Sequence, residues 1–256
     1  PYGESSLVLH ALTRAHGRVH LLAKGAYRPT SRFYAALDVF DTLEITWSHA
    51  AGRELQVVQE ATIAARRHRI ARALPAYRAG LTVLELAGLG ALEGHDAAEL
   101  FDAAVSALDL LGAADEHDLG AVTAALVEFE LRFLQNLGLA PALAACASCG
   151  GAAPPLDSGA DGEPRAAFSA GAGGRLCRAC ALQARAVGRR VGTLPVRVLD
   201  RALAILERRA DEVPRDADEL ELVRDAVARF LEYHLEGRPK SYRSFLAVPN
   251  RNRPTA

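Results

Sequence analysis

Apolar positions recur at steps of about two before residue 66 and of three to four after it, which predicts strands followed by helices. Ser6–Leu12 and Arg18–Ala23 flank a Thr13–Gly17 turn and predict a hairpin. Val39–Ser48 and Glu54–Ile63 predict a second, turning at 49–53, with Leu43, Ile45 and Trp47 on one side and Leu55 and Val57 on one face. Four short strands in succession suggest a small barrel or half-barrel. Beyond them Ile70, Leu74, Tyr77, Leu81 and Leu84 follow a helical period, with Pro75 as a break or kink. Asp96 with Glu99 resembles a capping box opening a helix through Leu100, Ala104, Leu108 and Leu111, stopped by Gly112. A further helix runs from Asp118 through Val122, Leu126, Phe129 and Phe133 to Gly138. Leu199, Leu203 and Leu206 mark another, and Leu220, Val223, Val227, Phe230 and His234 the last. These stripes predict a shared helix–helix core in which His234 is a packed residue rather than a ligand.

Two segments escape the periodicity because their content is chemical. The four cysteines form matched pairs, Cys146-Ala-Ser-Cys149 and Cys177-Arg-Ala-Cys180. Each pair sets two soft ligands on one tight knuckle, and two knuckles satisfy a tetrahedral zinc. A disulfide pair or unmetallated thiols are the alternatives. A closed four-sulfur shell leaves no place for water, so such a metal builds structure. The 27 residues between the pairs hold Pro154-Pro155, Ser158-Gly159 and Gly171-Ala-Gly-Gly174 and predict a flexible loop.

The second segment is basic. Lys24-Gly-Ala-Tyr27-Arg28-Pro-Thr30-Ser31-Arg32 spaces Lys24, Arg28 and Arg32 by four on a loop. Such cations can follow a phosphate backbone, Thr30 and Ser31 can add hydrogen bonds, and Tyr27 offers a stacking face. Arg14, Arg18 and Arg53 lie near the hairpin turns and extend the same candidate nucleic-acid surface. A solvated basic loop is the plain alternative. The run Arg66-Arg67-His68-Arg69 with Arg72 cannot serve one ligand, since Arg67 points away from Arg66 and Arg69 on a helix. Arg189-Arg190 is undecided between solvent and ligand.

Charge supports a division of labour. The net of −1 over 256 residues hides 11 Lys/Arg against 6 Asp/Glu in residues 1–80, then Arg132 alone against 11 acids in 81–145, then 18 against 14. A basic module beside an acidic one fits a polyanion binder. The length suits one or two domains, and no apolar run approaches a membrane span. The chain opens on Pro1 and holds no methionine, so the true start is expected upstream. Paired cysteines at metal spacing favour a reducing compartment, the cytoplasm. No phosphate-binding Gly-rich loop ending in Lys-Ser/Thr, His-Glu-x-x-His or Gly-x-Ser-x-Gly motif occurs, and nothing nominates a nucleophile or general base, so no enzyme is expected. His234-Leu-Glu236 lies after both cysteine pairs, where deaminase chemistry has no support.

In order along the chain, Tyr2-Gly-Glu4-Ser, Thr13-Arg-x-His-Gly17, Ala23-Lys-Gly25 with Arg28-Pro and Ser31-Arg32, Leu137-Gly-Leu-x-Pro141, Cys146-x-x-Cys149-Gly150, Phe168, Gly173-Gly174, Leu176-Cys177-x-x-Cys180, Lys240-Ser241 and Arg243-Ser-Phe245-Leu246 resemble the bacterial RecO family of recombination mediators. The resemblance implies an α+β protein: an OB-type barrel over 1–65 with its first strand before Tyr2, then a helical domain over 66–256 carrying a zinc-ribbon-like insert at about 143–183. It implies binding of single- and double-stranded DNA, annealing of complementary strands, and help in loading the RecA recombinase. RecR and the C-terminal tail of single-stranded DNA-binding protein are the implied partners, and a nucleoid-associated location follows. Barrel contacts carry over to Lys24, Arg28 and Arg32, and zinc ligands to Cys146, Cys149, Cys177 and Cys180. A zinc-stabilised scaffold that docks acidic proteins on its basic barrel is the competing reading.

Overall fold

A computed structural model describes residues 5–31, 33, 37–50, 52–115, 117–159, 162–213, 216–235 and 239–242. The motif pieces at Tyr2–Glu4, Arg32 and Arg243–Leu246 lie outside them. The chain forms two compact units, Pro1–Glu116 and His117–Ala256.

The first unit opens with β1 (Leu7–Thr13), β2 (Gly17–Ala23), β3 (Thr42–Ser48) and β4 (Gln56–Ala65). β1–β2 and β3–β4 are antiparallel hairpins, and β2 pairs in parallel with β4 at Leu21–Gln56 and Leu22–Val57. The order β1-β2-β4-β3 with that one parallel contact matches four consecutive strands of an OB barrel. Leu7, Leu9 and Ala11 of β1 and Val19, Leu21 and Ala23 of β2 turn inward, against Val58 and Trp47, as period-two alternation requires. On β4 the inward pair is Gln56 and Val58, not Leu55 and Val57. The β3–β4 register slips between Thr46 and Trp47, and a one-residue shift exchanges the two faces of a strand. Gln56 uses its buried place to close the turn. Its Nε2 donates to the carbonyls of Ala50 (3.3 Å) and Arg53 (2.7 Å), and its Oε1 accepts from Ala50 N–H at 2.7 Å.

Two helices complete this unit, α1 (Leu74–Gly90) and α2 (Ala98–Ala113). Pro75 sits in the first turn of α1, where its missing N–H costs nothing; it starts the helix and does not kink it. The expected stripe Leu74, Tyr77 and Leu81 is exposed, and α1 buries Ala76, Ala79, Gly80, Val83, Leu86 and Ala87. Small residues let the helix approach closely, so here size rather than hydrophobicity selects the face. α2 buries Leu100, Ala104, Leu108 and Leu111 as expected, and runs past Gly112. Arg67 is a buried strut. It donates to Asp109 of α2 (2.8 Å), to the Phe40 carbonyl (3.0 Å) and to Thr42 Oγ1 (2.8 Å).

The second unit packs α3 (Leu119–Asn136), α5 (Val196–Leu206) and α6 (Ala217–His234) around Val127, Leu131, Leu199, Ile205, Val223 and Val227. Asp118 caps α3 by accepting from Ala121 N–H at 2.8 Å. His234 packs against Phe230, with ring centroids 4.5 Å apart and the planes tilted by 48°. Between the cysteine pairs the expected flexible loop carries β5 (Asp157–Ser158), β6 (Pro164–Ser169) and β7 (Gly174–Leu176) instead, and α4 (Arg178–Ala186) and β8 (Gly192–Pro195) follow before α5. β6 lies centrally, paired with β5, β7 and β8. At the far end of the unit Tyr242 is fully buried, and its Oη donates to the fully buried Glu130 at 2.6 Å. Arg224 lies 4.0 Å from that carboxylate and over the Tyr242 ring. Burial pushes the Glu130 carboxyl up, with Arg224 and Tyr242 opposing.

Arg67→Ala is expected to lower the stability of the first unit by about 2–3 kcal/mol, since it removes the buried guanidinium and leaves the Phe40 carbonyl, Thr42 hydroxyl and Asp109 carboxylate without its hydrogen bonds. Urea unfolding followed by Trp47, the only tryptophan, measures it.

Candidate nucleic-acid interface and metal centre

The basic loop is anchored from below. Ala26 and Phe33 reach into the core of the sheet, leaving Lys24, Tyr27, Arg28, Pro29 and Thr30 exposed. Successive turns fix it: Arg28 N–H donates to the Gly25 carbonyl at 3.0 Å and Ser31 N–H to the Arg28 carbonyl at 2.9 Å. Tyr27 N–H donates to the Ser5 carbonyl at 3.0 Å, tying the loop to the entry of β1. Among the described residues no carboxylate forms an ion pair with Lys24, Arg28 or Arg53. Arg53 belongs to the β3–β4 turn, whereas Lys24 and Arg28 follow the end of β2. The parallel register therefore sets Arg53 at the other end of the β2–β4 contact from the loop.

Arg14 and Arg18 do not extend that surface. Arg14 donates to Asp102 at 2.9 Å and lies 5.1 Å from the centre of the Phe101 ring. Arg18 donates to the Gly88 carbonyl at 3.1 Å and faces Glu93. His20 meets the same carboxylate at 2.9 Å. Backbone bonds join them, from Gly94 N–H to the His16 carbonyl (3.0 Å) and from Ala97 N–H to that of Arg14 (2.7 Å). The tip of the β1–β2 hairpin is thus docked on the α1–α2 connection, and its cations are consumed within the unit. Nothing in their local sequence tells this, because their partners stand 70 and 88 residues away.

The metal-ligand set is assembled from two short motifs. In the first, Gly150 N–H donates to the Cys146 carbonyl at 2.8 Å and Cys146 N–H to the Gly151 carbonyl at 2.9 Å, curling Cys146–Cys149 into a knuckle. In the second, Cys177 caps α4 and Cys180 sits in its first turn. The four sulfurs all lie within 4.8 Å of one another, and none is in a disulfide. A tetrahedral thiolate site has sulfur–sulfur edges of about 3.8 Å, so the set can hold one metal ion. Burial alone would raise the Cys146 thiol, but N–H groups of Cys177, Cys149 and Ser148 point at its sulfur and bring it down to about 6. Cys180 is pushed up to about 12, first because its S–H donates to Cys177 and Cys146 and then by burial. One thiolate is thus ready for a cation, while Cys180 resists further negative charge until a cation arrives.

Sequence reasoning missed the residue that braces this site. Arg175 of β7 is buried, donating to the Ala153 carbonyl at 2.8 Å and the Leu143 carbonyl at 3.4 Å, on either side of the first knuckle. An arginine in a short strand reads as outward-facing, so no pattern announces it. Gly174 beside it is at φ 138°, and a Cβ there would stand 2.4 Å from the Ala142 carbonyl oxygen. That contact explains Gly174, and Gly173 is required by its own left-handed backbone at φ 89°. The module's own core is slight, since Ala153, Ala167, Ala181 and Ala184 make up four of its six buried residues.

No helix among the described residues is long and apolar enough to cross a membrane. A family model described as Recombination protein O N terminal matches residues 1–67, and one described as Recombination protein O C terminal matches 72–243. Among curated relatives, the DNA repair protein RecO of Anaeromyxobacter sp. (strain K) is 34% identical over 259 residues, covering 96% of this chain and 91% of that protein. That of Streptomyces coelicolor is 32% identical over 250 residues, covering 94% and 92%. That of Rhodopirellula baltica is 31% identical over 179 residues, covering 70% and 62%.

Metal uptake by the metal-free protein at neutral pH is expected to release fewer protons than there are sulfurs, because Cys146 is already ionised above pH 6. Titration in weak buffer with a pH indicator counts them, and metal retention should fall as the pH is lowered.

Proposed function

Because the chain belongs to the RecO family of DNA repair proteins, we propose that it is a non-enzymatic recombination mediator that binds and anneals DNA strands and assists RecA loading. The observation that carries this reading is the contrast within the first unit. Arg14 and Arg18 are engaged with carboxylates, whereas Lys24 and Arg28 stand exposed on an anchored loop without them. In this reading Lys24, Arg28 and Arg32 grip successive phosphates, Tyr27 stacks on a base, and Arg53 adds a contact from its turn. OB barrels use strand faces and loops of this kind for oligonucleotides. Contacts to the backbone leave base edges free, and annealing needs that: repulsion between two strands is neutralised while pairing stays open. Double-stranded DNA is held by the same phosphate contacts. RecR and the tail of single-stranded DNA-binding protein are the proposed protein partners, and the setting is the nucleoid in the cytoplasm.

We assign the metal as a structural zinc on Cys146, Cys149, Cys177 and Cys180. Four thiolates leave no open position for substrate or water. An alanine-built core of this size contributes little apolar burial, so a crosslinking ion is the stabiliser that a small module needs. Elemental analysis should find close to one zinc per chain. Cys177→Ser should lose it and loosen residues 143–195, while Trp47 emission in the first unit is unchanged.

The DNA reading is tested by fluorescence anisotropy of a single-stranded oligonucleotide across a salt series. Replacing Lys24, Arg28 and Arg32 by Ala should weaken binding and reduce the log–log salt slope by about 2, at roughly 0.7 per phosphate contact. An unchanged slope removes the loop from the account. Negligible affinity of the wild-type protein at moderate salt would favour a scaffold that docks acidic proteins.

A further inference from the structure

We propose that α4 and the turn capping it form a second phosphate-binding surface, which takes a nucleic-acid strand independently of the Lys24–Arg28 loop. The proposal rests on the reading that this chain binds nucleic acid, and adds a site on the metal module.

The first observation is a difference in pairing. On the helices of the second unit and in the turn after α5, Arg132, Arg197, Arg201, Arg208, Arg209 and Arg229 each face a carboxylate. Arg185, Arg189 and Arg190 are exposed, and among the described residues no carboxylate pairs with any of them. A helix C-terminus favours one nearby cation. It does not account for three, two of them beyond the last turn.

The second observation is that these arginines stand on fixed backbone. α4 buries Ala181 and Ala184 against the module core, so its opposite side must face solvent. Arg189 N–H donates to the Ala184 carbonyl at 2.9 Å and Gly188 N–H to the Arg185 carbonyl at 3.0 Å. With Gly188 at φ 78°, this is the paired-bond cap that ends a helix in one defined geometry. One residue later the buried Ser169 donates its hydroxyl to the Arg190 carbonyl at 2.7 Å. The chain then enters β8, paired with β6. Arg189 and Arg190 are therefore held at both ends, not carried on a loose loop.

Chemistry selects the occupant. Guanidinium groups match phosphate oxygens in bidentate pairs. The exposed side of α4 carries Gln183 as a further donor and no aromatic residue, so bases have nothing to stack on. Such a surface holds a sugar–phosphate chain without reading its sequence. Two surfaces of this kind on one chain would let it carry two strands at once.

The test uses the full chain with its metal. Arg185, Arg189 and Arg190 are replaced together by Ala, and in a second protein by Lys. The Ala protein should show a single-strand salt slope lower by about 2. It should also lose energy transfer between donor- and acceptor-labelled non-complementary oligonucleotides mixed with wild-type protein as reference. The Lys protein should retain both, separating charge from folding. In the background of Lys24, Arg28 and Arg32 replaced by Ala, residual salt-sensitive binding should remain and vanish on adding the α4 changes. Wild-type slope and energy transfer in the α4 Ala protein would overturn the proposal while leaving the loop reading intact. A wild-type protein without oligonucleotide affinity would overturn both. Leu182 and Val187, exposed on the same segment, would also suit an acidic peptide with apolar residues. Loss of poly-glutamate binding in the Ala protein, with oligonucleotide binding unchanged, would assign the surface to protein and overturn the proposal.

Discussion

A guanidinium facing a carboxylate can meet a phosphate only by bringing two anions together or by abandoning its partner. That competition sorts the basic residues of this chain. An exposed pair contributes only about 0.2–1 kcal/mol to stability, yet it is enough to make a cation a poor first contact for a polyanion. Arg14 and Arg18 join a hairpin to the α1–α2 connection, Arg67 joins the sheet to α2, and Arg201 faces Glu219 on α6. Their charges are spoken for by the fold. Lys24, Arg28 and Arg53 in one unit, and Arg185, Arg189 and Arg190 in the other, are left facing water. Net charge per segment pointed to a basic first module, but pairing decides which of its cations can serve a ligand.

The cysteine module depends on the same economy of means. Its core is mostly alanine, and its strands are short. What holds its shape is directional: a buried arginine gripping two carbonyls, a glycine pressed against Ala142, and four sulfurs gathered to one point. Hydrogen bonds from backbone N–H groups to Cys146 prepare one thiolate in advance, so binding a cation need not begin by stripping every thiol of its proton.

Much of the fold was legible because alternation and helical period report burial directly. The four strands of the sheet fall within three residues of their expected ends, and α2, α3 and α6 bury most of the residues their stripes nominate, while α5 buries Leu199 and half-buries Leu203 and Leu206. The exceptions have local causes. The first turns of α1 set Ala76, Ala79 and Gly80 inward and Leu74, Tyr77 and Leu81 outward because small residues allow close approach there, and β4 offers adjacent valines that cannot tell one face from the other once the register slips. The insert was read as loop since its strands are too short to show a period. At the site, the sulfur cluster was legible from spacing alone. The fates of Arg14, Arg18 and Arg175 were not, because each is decided by groups distant in sequence or by carbonyls that no side-chain pattern records.

The bond between Tyr242 and Glu130 spans 112 residues, and it bears on how the second unit is made. A ribosome adding roughly 5–20 residues per second needs on the order of 6–22 s to travel from one to the other. Throughout that interval α3 exists without the phenol that satisfies its central acid, and for most of it without α6 and Arg224 as well. Helix α3 therefore cannot be sealed early during translation. Its closure waits for the tyrosine, and a nascent chain halted short of it would bury the Glu130 carboxyl with Arg224 as its neighbour but without the phenol's hydrogen bond.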